Sequence, residues 1–308
     1  MKGTIALLGG GGFIGTNLRR SLLADGLRVR ALSRSWLAPP EPGLDLAITT
    51  DTDDSGQVSA LVAGCDCVVV LSHGLLPGSD LVMAGHGMLD SISAILHLID
   101  VCERNGTRLV YLSSGGTVYG PNAPIPTAEQ TACDPISMYG VSKLATENIL
   151  SVHARQRGLE HVVLRVSNPY GPWQLGRNGQ GVIGAWLARA IAGQEIEVWG
   201  DGSVVRDYVY IDDLVDAIKA AIAYRGGEHV FNVGSGRGES LREILGIIQD
   251  LCPVVVHYGE ARAVDVPVSV LDIGRADLEL GWRPTTPLVS GIGQTLEWMR
   301  EHRADGLG

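Results

Sequence analysis

Aromatic residues are scarce in this 308-residue chain, which holds two Phe, eight Tyr and six Trp, 5% of its length. Its core must therefore be aliphatic, and Val, Ile and Leu fill the apolar positions of a chain that is 45% hydrophobic. Long apolar runs are missing too, and no stretch approaches the roughly 20 residues that would span a bilayer. Positive charge is short: 24 Lys and Arg face 34 Asp and Glu, a formal net charge of −10. That balance argues against a nucleic-acid or anionic-membrane surface, so an anionic ligand would need locally placed arginines. Cysteines are few, odd in number and scattered (Cys65, Cys67, Cys102, Cys133 and Cys252). They predict buried reduced thiols and a cytoplasmic setting rather than a disulfide framework. Cys65 and Cys67 are expected on one face of a strand, and no Cys or His cluster completes a metal site. The first apolar stretch is too short for a signal peptide and breaks into glycines before Arg19 and Arg20. No internal repeat or low-complexity tail stands out.

Glycine, by contrast, is abundant at 41 residues. Gly9 to Gly12, closed by Gly15, follow the apolar run Ile5–Leu8 and lead into the helix-like Phe13–Leu18. This order is strand, tight turn, helix. Gly9, Gly12 and Gly15 at G-x-x-G-x-x-G spacing let the backbone turn sharply, approach a pyrophosphate and pack the helix on the strand. Apolar runs at Ile5–Leu8, Arg28–Leu32, Leu44–Ile48, Cys67–Leu71, Leu109–Leu112 and Val162–Val166 then alternate with helix-like stretches near Phe13–Ala24, Gly56–Val62, Met88–Arg104 and Met138–Arg157. Such alternation predicts an α/β fold: a Rossmann-type, doubly wound parallel sheet with ligands at the carboxyl ends of its strands. Beyond about residue 170 the chain turns Gly/Pro-rich, with a short strand at Ile196–Trp199 and helices near 184–192, 240–250 and 288–301. We read residues 1–170 as a dinucleotide-binding domain, to which the chain returns at about 205–235. Residues 171–308 form mainly a smaller C-terminal α/β substrate lobe.

Tyr139-Gly140-Val141-Ser142-Lys143 places a phenol and an ammonium at i and i+4, on one helix face. A cation close to a phenol favours the phenolate, so Tyr139 can serve as a general base with Lys143 tuning it and reaching a ribose.

With both motifs, the chain resembles the extended short-chain dehydrogenase/reductase family, in particular the nucleotide-sugar epimerase/dehydratase group typified by UDP-glucose 4-epimerase. The resemblance runs through Ser113–Gly120 (SSGGTVYG), Arg165–Pro172 (RVSNPYGP), Gly200–Asp213 (GDGSVVRDYVYIDD), Phe231–Gly236 (FNVGSG), Arg262 with Asp265, and Leu280-Gly281-Trp282. It implies a tightly held NAD, with Gly9, Gly12, Phe13, Ile14 and Gly15 at the pyrophosphate, Asp51 at the adenine, and Leu71, Ser72, Tyr139 and Lys143 along the cofactor. It also implies a UDP-sugar substrate gripped by Asn168, Arg206, Arg262 and Asp265, a homodimer built through a helix bundle, and a role in polysaccharide supply. From the residues alone, Arg206 with Asp207 and Arg262 with Asp265 read first as surface salt bridges. The implied reaction takes a proton from a sugar hydroxyl onto Tyr139 while hydride leaves the same carbon, and returns the hydride to the other face.

Several positions depart from the pattern. The customary catalytic Ser or Thr, four residues before Tyr119, is Gly115; Thr117, with Ser114 behind it, is the expected substitute. Dehydratases need an acid at the position of Thr117, which ranks dehydration below epimerisation. The second strand ends in Ser33 and Arg34 where NAD-preferring relatives carry an acid, which keeps NADP open as an alternative cofactor. Ser91 replaces a cofactor-side Asn, and His73 is read as a polar loop residue near the pocket. The expected activity is thus a UDP-sugar 4-epimerase. Its rivals are an NADPH-dependent keto-sugar reductase, a 4,6-dehydratase and a non-catalytic nucleotide sensor.

Overall fold

The computed structural model describes residues 3–51, 53–72, 81–175, 181–260 and 266–302. The first half of the chain alternates strand and helix: β1 (Thr4–Leu8), α1 (Phe13–Ala24), β2 (Arg28–Ser33), β3 (Leu46–Thr49), α2 (Ser55–Val62), β4 (Cys67–Val70), α3 (Leu81–Asn105), β5 (Arg108–Ser114), the single turn α4 (Gly115–Val118), α5 (Met138–Arg157) and β6 (His161–Val166). Then come β7 (Asn168–Tyr170), α6 (Val182–Ala192), β8 (Ile196–Trp199), β9 (Val205–Arg206), β10 (Tyr208–Tyr210), α7 (Ile211–Ala223) and β11 (Val230–Val233). The chain closes with β12 (Glu239–Ser240), α8 (Leu241–Leu251), β13 (Val256–Gly259), β14 (Val268–Ser269), a π-helical turn at Ala276–Leu280, and α9 (Leu288–Glu301).

Seven strands form one sheet in the order β11-β6-β5-β4-β1-β2-β3, and every pairing in it is parallel. A parallel sheet is covered on both faces, so its strands are continuously apolar rather than alternating. β1, β4 and β6 are buried at every residue. Side chains along a strand then split between two cores. Ile5, Leu7, Cys67 and Val69 join one apolar cluster, and Ala6, Leu8, Val68 and Val70 the other. Cys65 corrects the one-face expectation: it lies before β4, so strand alternation does not reach it, and it packs in the cluster opposite Cys67. All five thiols are free, and burial pushes those of Cys67 and Cys102 up to about 12, which keeps them protonated.

The strand order reverses between β1 and β4, with β2 and β3 added on one side of β1 and β4, β5 and β6 on the other, which puts the switch point of the sheet beside the glycine turn. Smaller sheets surround the carboxyl-end rim: β7 with β10, β8 with β13, and β9 between β12 and β14. Helix α8 starts with a capping box, the Ser240 hydroxyl accepting from Glu243 N while the Glu243 carboxylate accepts from Ser240 N. Among the described residues, no helix is long and apolar enough to cross a membrane.

Candidate active site

The turn after β1 is shaped for a phosphate. Gly9 adopts φ +95°, and a Cβ on it would sit 2.7 Å from Ser72 N, so only glycine lets β1 and the end of β4 approach this closely. Gly15 meets the turn from the helix side, where a Cβ would lie 2.5 Å from Gly9 O. Gly12 is the N-cap of α1, has no side-chain cap, and is exposed. The first turn of α1, which includes Phe13, Ile14 and Gly15, carries no acidic residue. Uncapped N–H groups and the positive helix end thus face outward, which fits the pyrophosphate of a dinucleotide. Leu71 N and Ser72 N both donate to Leu8 O at 2.9 and 3.1 Å, fixing the rim of β4 against the turn.

Beyond β2, the Ser33 hydroxyl donates to Ser35 O at 2.8 Å and is buried. The Arg34 guanidinium lies 3.8 Å from the Asp51 carboxylate, both side chains 69% exposed, a pair worth little in stability. Ser91 donates to Gly87 O one turn back on α3. His73 lies outside the described residues.

Helix α5 starts at the Ser137 N-cap, whose hydroxyl accepts from Gly140 N. That start sets Tyr139 in the first turn and Lys143 in the second. Lys143 is 4% exposed, its Nζ donating to Leu112 O at 2.7 Å, with the Tyr111 and Tyr139 rings 4.8 and 5.6 Å from it. Burial lowers the Lys143 pKa to about 7, against the raising effect of Glu147. The Tyr139 phenol is pushed up to about 12 by burial, opposed by a hydrogen bond with Ser114. Enclosure thus opposes the charged form of each group, and it is against this burial that a Lys143 cation would favour the phenolate.

Gly115 opens α4, and a Cβ there would meet Leu271 Cδ1 at 2.6 Å and Arg165 O at 3.1 Å. A side chain here would have to displace the Leu271 methyls and press on the Arg165 carbonyl. Ser114 touches Tyr139, whereas the Thr117 hydroxyl is buried with no hydrogen-bond partner. Thr117 O is close to α5, since a Cβ on Gly140 would lie 2.5 Å from it.

Behind Lys143 lies a charged network that sequence reasoning missed. Glu147, one turn further along α5, accepts two hydrogen bonds from Arg165 Nε at 3.2 and 3.0 Å, one from Arg165 Nη2 at 2.6 Å, and one from the Ser113 hydroxyl. Arg165 Nη1 donates to the Tyr119 hydroxyl at 2.9 Å, which donates to Asn232 Oδ1 at 2.7 Å. The readable signal was spacing: Glu147 follows Lys143 by four residues, and Arg165 interrupts the apolar run Val162–Val166.

On the substrate side, Asn168 Nδ2 donates to Asp207 O at 2.9 Å, and Arg206 Nη1 donates to Val205 O and Val266 O at 2.9 and 2.6 Å. The Asp207 carboxylate accepts from Ser235 N and Oγ, Gly236 N and Leu271 N, so it anchors two loops of the rim. Burial still raises its pKa. Arg262 and Asp265 lie outside the described residues.

Residues 5–234 match the NAD dependent epimerase/dehydratase family. The chain is 31% identical over 307 residues to a UDP-glucose 4-epimerase of Mycolicibacterium smegmatis, covering 95% of this chain and 97% of that protein. It is 36% identical over 200 residues to a dTDP-4-dehydro-6-deoxyglucose reductase of Escherichia coli, a match spanning 64% of this chain and 63% of the reductase. The solved UDP-glucose 4-epimerase of Thermotoga maritima, bound to UDP-glucose, superposes with a TM-score of 0.89 at 30% identity over 97% of this chain and 99% of that one. With a parallel sheet, a glycine turn at its switch point and a Tyr/Lys pair on the facing helix, the chain belongs to the NAD-dependent epimerase/dehydratase family.

Proposed function

We propose that this protein is a UDP-hexose 4-epimerase that works through a transient 4-keto-sugar. The observation that carries this reading is the chemistry at the end of β5. Ser113–Gly120 offers hydroxyl groups and a phenol but no carboxyl group, and Ser114 is hydrogen-bonded to Tyr139. Hydroxyls and a phenol can move one proton on and off a sugar alcohol; expelling a second hydroxyl, as dehydration requires, needs an acid that this segment does not hold. The 31% identity to an epimerase over 95% of the chain supports the same reading.

The residues divide the work. Uncapped N–H groups at Gly12 and the first turn of α1 would hold the pyrophosphate of NAD, with Gly9 and Gly15 giving it room and Leu71 and Ser72 forming the rim. When bound, NAD accepts and returns a hydride and brings a positive charge into the site. Tyr139 takes the proton of the sugar hydroxyl and gives it back, with Ser114 passing it on. Lys143, held by Leu112 O and near the Tyr111 and Tyr139 rings, would reach the ribose and, when charged, lower the cost of a phenolate. Asn168, Arg206, Arg262 and Asp265 would grip the UDP part and leave the sugar free to turn over. The enzyme works as a homodimer in the cytoplasm, in the supply of sugars for polysaccharides; Leu89 and Leu96, 67% and 42% exposed and seven residues apart on α3, together with Val152 on α5 at 42%, provide the apolar face.

A second reading is favoured by Ser33 and Arg34: an NADPH-dependent keto-sugar reductase, in which Arg34 would meet a 2′-phosphate. Proton NMR of the purified protein with UDP-glucose, UDP-N-acetylglucosamine and UDP-glucuronate, without added cofactor, separates the two. New anomeric signals of a C4 epimer are the expected result. Spectra that stay unchanged, together with stoichiometric NADPH oxidation by a 4-keto-sugar nucleotide, would replace the epimerase with the reductase.

A further inference from the structure

Arginine at position 19 has no role in the chemistry above, yet it is the largest fully buried side chain in the molecule's described part. It lies on α1 next to Leu18 and three residues before Leu22, both fully buried in an aliphatic cluster. An aliphatic residue would pack there at far lower desolvation cost, because a buried guanidinium is tolerated only when its donors are met. Here they are met by the segment after β2. Arg19 Nε donates to Glu41 Oε2 at 2.6 Å, and Nη2 donates to Glu41 Oε1 at 3.2 Å, Ala38 O at 3.2 Å and Pro39 O at 3.4 Å. Its Nη1 crosses to the glycine turn and donates to Gly10 O at 3.0 Å, while its face covers the Trp36 ring at 5.3 Å.

No regular strand or helix orders residues 34–45, so their placement depends on such ties. Leu37 N donates to Gly11 O at 2.9 Å, and a Cβ on Gly11 would collide with Ser35 O. The post-β2 segment is therefore seated directly on the glycine turn, with Arg19 beneath both. In a doubly wound sheet the residues just after the second strand face the adenosine ribose of a dinucleotide. Glu41 completes the lock: burial works to raise its pKa, but the hydrogen bonds from Arg19 and Arg20 and the charge of Arg19 hold it below the usual carboxylate range.

We propose that Arg19 is a positioning residue for the dinucleotide, fastening the segment after β2 onto the glycine turn and so setting how firmly the adenosine half is retained. The role rests on the family cofactor and holds whichever sugar reaction the site performs. Without the lock the segment samples open arrangements, and apparent affinity falls by the fraction of molecules still seated.

The test uses the full chain carrying Arg19→Met, which keeps length and apolar volume, and separately Glu41→Gln, at a side chain 20% exposed. Calorimetric titration of cofactor-stripped protein with ADP-ribose, NAD content after purification, and turnover at saturating NAD are measured for each. ADP-ribose binding about tenfold weaker, less co-purified NAD and a retained kcat at saturation are expected. Should Arg19→Met fail to fold, Glu41→Gln decides. Unchanged ADP-ribose affinity in a folded variant, or a lost kcat with unchanged affinity, would overturn the assignment.

Discussion

A side chain at Gly115 would meet the Leu271 methyls and the Arg165 carbonyl. Installing the customary hydroxyl with Gly115→Ser should therefore cost about 1–3 kcal/mol of stability by overpacking and bring no gain in turnover. Thermal melts and rates check this, and adding Leu271→Ala should restore much of the lost Tm; a faster Gly115→Ser enzyme would contradict the account. The proton path makes a second prediction. Tyr139→Phe should lower turnover by roughly 10²–10⁴-fold with NAD still bound. Ser114→Ala should cost more than Thr117→Ala, because Ser114 touches the phenol while the Thr117 hydroxyl is buried without a partner. A larger loss in Thr117→Ala would return the shuttle to the residue that sequence spacing favours. Spacing in V-Y-G counts residues along the chain; which hydroxyl meets Tyr139 depends on how α4 turns.

At the scale of elements, α5 is a ruler. Residues at intervals of four along it put Tyr139 and Lys143 into the site and Glu147 against Arg165 behind it, and the Ser137 cap fixes where the count begins. This much was legible, because the i, i+4 rule needs no tertiary knowledge. The enclosure of Lys143 was not legible, since the Tyr111 ring and the Leu112 carbonyl that surround it come from β5. Helix α3 carries the prediction for assembly. Leu89→Glu combined with Leu96→Glu should convert a dimer to a monomer in light scattering while leaving the melting temperature of the monomer near that of the parent. A monomeric parent protein would remove the helix-bundle dimer.

Across the whole molecule, the two ends of the sheet have opposite characters. The carboxyl ends carry the glycine turn and the Tyr/Lys pair, while the other end of β6 carries His161, 4% exposed and stacked on His229 with ring centroids 4.9 Å apart. Burial, then the nearby His229, lowers the His161 pKa from 6.5 to about 4. A histidine whose folded pKa lies below its unfolded value is kept neutral by the fold. The unfolded chain takes up the proton first, so stability present above pH 6.5 is lost as pH falls toward about 4. The loss should amount to a few kcal/mol at most, on the scale of about 1.4 kcal/mol per unit. Melting temperature against pH should show this slope, and His161→Phe should flatten it; an unchanged slope would assign acid sensitivity to other groups. Longer-range ties hold the rim together: Asp213 accepts from Thr285 N and Oγ and from Thr286 N, and its backbone carbonyl accepts from Trp282 Nε1.

The amino-acid order alone determined whatever is local or periodic. Strand–glycine–helix order, aliphatic runs and the Tyr139/Lys143 interval specify a parallel sheet with a dinucleotide turn, because backbone sterics and helix pitch act over a few residues. Only the tertiary structure decided matters that depend on distant neighbours meeting. Leu271 fills the space beside Gly115, Asp207 turns from Arg206 to the loops at Ser235 and Leu271, Arg165 closes on Glu147, and Arg19 reaches Glu41. Charge states and side-chain partners follow burial, and burial is a property of the packed molecule.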